Sequence, residues 1–116
     1  MDQSGNLWFG TANGASKYDG TTFTTYRTKD GLLHGKVTSL YEDKAGNIWI
    51  GCNDGVSVFD GTGFTNYAYT NTDIGQNVRY FHEGSDGNIW MATSKGVYKY
   101  DGQQFQQFEH LQDRSV

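Results

Sequence analysis

A chain of 116 residues usually makes one domain, and its formal net charge of −4 removes the basic stripe that a nucleic-acid binder needs. No apolar run approaches the roughly 20 residues of a membrane helix, and a lone cysteine, Cys52, excludes an internal disulfide and a cysteine-rich metal cluster. Only 35% of residues are apolar, a level at which disorder must be considered, but 16% are aromatic and regularly placed, and each ring supplies much burial area.

In chain order, Met1 leads at once into Asp2-Gln3-Ser4-Gly5, with no signal-peptide pattern. Three strand-like runs follow through Tyr26, separated by turns at Ala12-Asn13-Gly14 and Asp19-Gly20. After a connector from Arg27 to Lys36, four short strands are expected: Val37 to Glu42, Asn47 to Cys52, Val56 to Phe59 and Phe64 to Tyr69. Their turns are Asp43-Lys44-Ala45-Gly46, Asn53-Asp54-Gly55 and Asp60-Gly61-Thr62-Gly63. A second connector, Thr70 to Asn77, precedes Val78 to Glu83, Asn88 to Thr93, Val97 to Tyr100 and Phe105 to Phe108.

These runs are one pattern written three times. Trp8, Trp49 and Trp90 recur every 41 residues, within Gly5-Asn6-Leu7-Trp8-Phe9-Gly10, Gly46-Asn47-Ile48-Trp49-Ile50-Gly51 and Gly87-Asn88-Ile89-Trp90-Met91-Ala92. A period in the forties is typical of propeller blades. Gly14, Gly55 and Gly96 repeat, as do the Asp-Gly pairs at 19, 60 and 101 and the phenylalanines at 23, 64 and 105. Turn or core is the expected role of each. The middle tryptophan strand is apolar on both faces, since Ile48 and Ile50 point one way and Trp49 the other. A sheet with one wet face would alternate instead. The expectation is therefore an all-β chain of propeller blades, each of four antiparallel strands packed between neighbours. Blade 1 spans about 1–35 and lacks its first strand, blade 2 about 36–76 and blade 3 about 77–116.

Two blades and most of a third do not close a ring. Met1 falls inside a repeat and Val116 reads as the start of another first strand, so an excised, truncated or engineered piece is expected. Two apolar end faces and an unpaired edge invite association. The expected partner is the chain itself, head to tail, with a homodimer of six blades favoured. A trimer, an open stack and a domain-swapped form stay open.

The pattern Leu40-Tyr41-Glu42-Asp43-Lys44-Ala45-Gly46-Asn47-Ile48-Trp49-Ile50-Gly51-Cys52, with Gly55-Val56 and Phe59-Asp60, resembles the two-component regulator propeller repeat. So does the connector Lys29-Asp30-Gly31-Leu32 ahead of Val37. That resemblance implies a periplasmic or extracytoplasmic sensor module of bacterial hybrid histidine kinases, binding ligands that are often glycan fragments. It brings no catalytic residues, no cofactor and no metal. A propeller binds at one mouth of its channel, which here offers Asn13, His34, Lys36, Asn53, Asp54, Asn77, Arg79 and Lys95 for a carbohydrate or small polar ligand.

Catalytic chemistry finds little support. His34, His82 and His110 have no ligand-like spacing to one another or to Cys52. The Gly-rich turns lack the following helix that phosphate cradling needs. Glu42 and Glu83 end matching strands, where paired-carboxylate chemistry is conceivable but a structural role is expected. The reading is a non-catalytic ligand-binding, sensor-type propeller module, not an enzyme, with no nucleic acid and no membrane insertion by this chain. The alternative is a structural or engineered self-assembling scaffold with no ligand.

Overall fold

The computed structural model describes residues 2–68 and 77–110. Three antiparallel sheets follow one another along the chain. The first holds β1 (Leu7–Thr11), β2 (Gly14–Tyr18) and β3 (Phe23–Tyr26). The second holds β4 (Val37–Glu42), β5 (Ile48–Cys52), β6 (Gly55–Phe59) and β7 (Phe64–Ala68). The third holds β8 (Tyr80–Glu83), β9 (Ile89–Thr93), β10 (Gly96–Tyr100) and β11 (Phe105–His110). Each strand pairs with its sequence neighbour, so each sheet is a meander. The expected further strand at Asp113–Val116 and the connector Thr70–Gln76 lie outside the described residues.

Local chemistry explains the tight turns. Gly14 and Gly55 hold φ of 132° and 142°, a region that side chains avoid. A Cβ on Gly55 would also meet the Tyr67 carbonyl oxygen at 2.2 Å. At the other hairpins the Asp side chains cap the turn: Asp60 Oδ1 accepts the N–H groups of Thr62 and Gly63, both at 2.9 Å. Asp19 and Asp101 do the same for their own turns.

The middle sheet is buried on both faces, as its strand pattern requires. All five residues of β5 are buried. Ile48, Ile50, Cys52 and Phe59 pack toward the first sheet, against Ala15, Trp8 and Tyr26. Trp49 and Val56 pack toward the third, against Val78, Phe81, Ile89, Met91 and Tyr98. The core is therefore two parallel slabs between three blades. The connector adds Leu32, only 3% exposed, to the first slab. It also forms a short 3-10 turn, Thr28–Asp30, that the strand pattern does not predict.

Repeat equivalence overstates burial at the ends. Phe23 matches Phe64, yet it is 64% exposed, and Leu7 and Phe9 are exposed where Ile48 and Ile50 are not. These residues sit on the outer face of blade 1, against which no described residue packs.

Hydrogen bonds lock the blades at one end. Glu42 accepts the Gln3 N–H at 2.9 and 3.0 Å, and Glu83 accepts the Lys44 N–H at 2.8 Å. Each carboxylate ends the first strand of one blade and holds a turn of the blade before it. Both are thus joints rather than a catalytic pair.

Candidate functional site

The opposite end of β4 and β8 carries the residues expected at a channel mouth. The connector reaches it in steps. The Arg27 N–H donates to Asp30 Oδ2 at 2.9 Å, and Gly31, with φ of 112°, ends the 3-10 turn. The Asn66 side-chain amide donates to the Gly31 carbonyl at 2.8 Å, and the Leu33 N–H donates to Ser57 Oγ at 2.9 Å. These bonds tie the connector to blade 2 before it turns into β4.

A backbone relay then joins the blades. The Asn53 N–H donates to the Lys36 carbonyl at 3.1 Å, and the Asn77 N–H donates to the Asn53 carbonyl at 3.0 Å. Asn77 adopts φ of 54°, a left-handed geometry that Asn tolerates better than most residues. The Val78 carbonyl accepts the hydroxyls of Thr38 and Ser39. The starts of β4 and β8 are thereby held side by side.

Lys36, Thr38, Asn77 and Arg79 line a cleft of about 400 Å³ between these starts. A second cleft of about 360 Å³ continues past Asn77 and Arg79 to Ala92, Thr93 and Ser94. Lys36 and Arg79 are both exposed, so two cations face solvent at one opening of an acidic chain. A site of this kind offers charge-assisted hydrogen bonds to carboxylate, phosphate or sugar hydroxyls.

The expected site residues fall into separate groups. Lys36, Asn77 and Arg79 share the cleft, and Asn53 is bound to it through its backbone. His34 and Asp54 stand apart as a pair, with Nε2 and Oδ2 3.8 Å apart and both side chains over a third exposed. His34 Nδ1 accepts the Lys36 N–H at 3.0 Å. The Asn13 backbone lies beside Gly35 in the connector. Lys95 belongs to the next turn, where its carbonyl accepts the Gln107 side-chain amide at 3.0 Å. Thr38 and Ser94 were not singled out by their sequence. Thr38 occupies the repeat position of Arg79, which is the signal that marks it.

Burial pushes the Cys52 thiol up to about 11, far from a reactive thiolate. Among the described residues no group of three or more His, Cys, Asp or Glu side chains is placed to hold a metal ion.

The three-blade geometry finds its counterpart in known proteins. The two-component regulator propeller family matches residues 31–54 and 72–95, the second and third appearances of the tryptophan strand with their connectors. These two segments are similar to two-component regulator propeller repeats. Two solved structures from B. thetaiotaomicron superimpose on the chain. One is the extracellular domain assigned to a hybrid two component system, with a TM-score of 0.78 and 21% identity over 94% of this chain. The other is the extracellular domain assigned to a one component system, with a TM-score of 0.71 and 26% identity over 87% of this chain. This chain spans 16% of each of those chains. No curated protein matches it. Among the described residues, no helix is long and apolar enough to cross a membrane.

Proposed function

We propose that this chain is a non-catalytic, ligand-binding group of propeller blades of the extracytoplasmic sensor type. Its ligand is a small polar or carbohydrate molecule held at the mouth between β4 and β8. The observation that carries this reading is the cleft of Lys36, Thr38, Asn77 and Arg79, where two exposed cations and two further polar side chains converge on about 400 Å³. Clefts of this size suit small ligands. The backbone relay through Asn53 fixes the walls before a ligand arrives, which lowers the ordering cost of binding. The propeller repeats and the extracellular setting of the two structural relatives support the sensor assignment.

An array of neutral and acidic oligosaccharides, followed by calorimetry on any glycan retained, tests the reading. Binding that falls at least tenfold in both Lys36→Ala and Arg79→Ala supports it. An empty array, or binding untouched by both changes, overturns it and leaves the scaffold reading.

A further inference from the structure

Resting on the reading of the cleft between β4 and β8 as the ligand site, we infer that its ligand is an acidic sugar, and that Lys36 and Arg79 hold the acid group between them. Each cation comes from a different blade and a different repeat position. Lys36 stands where blade 3 has Asn77, and Arg79 stands where blade 2 has Thr38. Repeat equivalence therefore sets the two cations at opposite corners of the cleft, each across from a neutral polar side chain. Among the described residues, neither Lys36 nor Arg79 has a carboxylate partner, and the ion pair nearby is His34 with Asp54, 3.8 Å apart. Glu42 and Glu83 lie at the other end of the same strands, on the Gln3 and Lys44 N–H groups. The first strands of blades 2 and 3 are thus cationic at the cleft and anionic away from it. Two like charges at one opening reinforce each other's field, which draws an anion more strongly than either does alone.

The two neutral corners decide what the rest of the ligand must be. Thr38 is the extra residue of a β-bulge, where the pairing of β4 with β5 passes from Val37 to Ser39. Bulges re-aim side chains, and here Thr38 and Ser39 both donate their hydroxyls to the Val78 carbonyl. The Thr38 proton is thereby committed, and its oxygen is left to accept from a ligand. Asn77 brings an amide, which both donates and accepts. A bare anion such as phosphate suits the cations but sets acceptor against acceptor at Thr38. A neutral sugar suits Thr38 and Asn77 but forgoes the paired bonds that Arg79 makes to a carboxylate or a sulfate. A ring that carries one acid group beside free hydroxyls satisfies all four corners of a cleft of about 400 Å³.

Calorimetry with glucuronate, galacturonate and galactose 6-sulfate tests this, each set beside an uncharged counterpart: the methyl esters of the first two, and galactose for the third. Any acidic oligosaccharide retained on the array is treated in the same way, against its carboxyl-reduced or desulfated form. At least one acid is expected to bind about tenfold more tightly than its counterpart, and to weaken several-fold as salt rises from about 50 to about 500 mM. Tight binding of the uronates alone assigns the group as a carboxylate, and of the sulfated sugar alone as a sulfate. Lys36→Asn and Arg79→Thr each install the residue that the other blade carries at that position, and each should bring the acid down toward its counterpart. Lys44→Ala, at the other end of the blades, should change nothing. The inference is overturned if no acid outbinds its counterpart, or if Lys44→Ala costs as much as the two cleft variants. A neutral glycan that binds as well as its acid, and still loses binding in Lys36→Asn, sinks the acid group and leaves the ligand site standing. Silence from every sugar together with an empty array removes both.

Discussion

The Trp49 indole N–H donates to Asp43 Oδ2 at 2.9 Å, with the tryptophan 4% and the aspartate 8% exposed. The same carboxylate accepts the Asn47 N–H and side-chain amide at 2.9 and 3.2 Å. One side chain thus closes the turn before β5 and satisfies the ring at the centre of β5. Trp8 and Asp2 repeat the bond at 2.8 Å. In the third blade the position of Asp43 is Gly84, and Asp86 takes over the bonds to Asn88.

Removing Asp43 is therefore expected to be costly. Asp43→Ala leaves a buried indole N–H without its acceptor and opens the turn, a loss of about 2–3 kcal/mol. Urea unfolding followed by tryptophan fluorescence measures it. A change near zero would show that the bond is not part of what holds β5.

The glutamate joints are weaker because they lie at the surface. Glu83→Ala is expected to lower global stability by only about 1 kcal/mol, in keeping with a single charge-assisted bond in water. Its clearer mark is local. Hydrogen exchange should quicken at the Lys44 amide, which Glu83 holds, and not at the Gln3 amide, which Glu42 holds.

Gly51→Ala tests the packing at the inner edge. The added methyl group would lie 2.2 Å from Ser39 Oγ and 2.7 Å from the Val78 carbonyl oxygen. Backbone on one side leaves little room to yield, so a loss of about 1–3 kcal/mol is expected. Gly46→Ala serves as the contrast for space, since nothing lies within 4 Å of its added Cβ, although its φ of 91° carries a backbone cost of its own.

Acid should unfold the hairpin turns first. Backbone N–H bonds hold the carboxyls of Asp19, Asp60 and Asp101 below the ordinary value of 3.8. A carboxyl whose folded pKa is depressed adds stability above its unfolded pKa and loses it as pH falls through the folded one. Stability in urea should thus stay level from neutral pH down to about 5 and decline below about 4. Asp60→Asn keeps an oxygen acceptor and removes the charge. The variant should show a shallower acid decline, and an unchanged slope would remove Asp60 from the account.

Much of the architecture is legible in the residues, because two-sided burial leaves a distinctive trace. Ile48, Trp49 and Ile50 in succession have no solvent-facing member, and only a sheet between sheets accommodates that. Turn glycines mark the hairpins for a similarly local reason. What the pattern conceals is set by contacts far apart in the chain. Asp43 reads as a turn residue until the indole of Trp49 is placed above it. Leu32 reads as a connector residue, yet it fills space between blades. Phe23 reads as core by equivalence, and only the position of its blade at the end of the row exposes it. At the mouth, Lys36, Asn77 and Arg79 come together because the connectors return each first strand to the same end. His34, Asp54 and Lys95 share that end without sharing the cleft, since side-chain direction is not written in the spacing.

The glutamate joints always run in one direction, from the later blade back to the earlier one, and each spans 39 residues of chain. During synthesis the donor turn leaves the ribosome before its acceptor is made. A newly finished blade therefore has a partner already shaped to receive it, and we expect the protein to be assembled stepwise as it emerges, rather than by a search over the whole chain. Stalled nascent chains long enough past Glu83 to bring it out of the ribosome should already shield the Lys44 amide, whereas chains from which Val78 to Glu83 have not emerged should not.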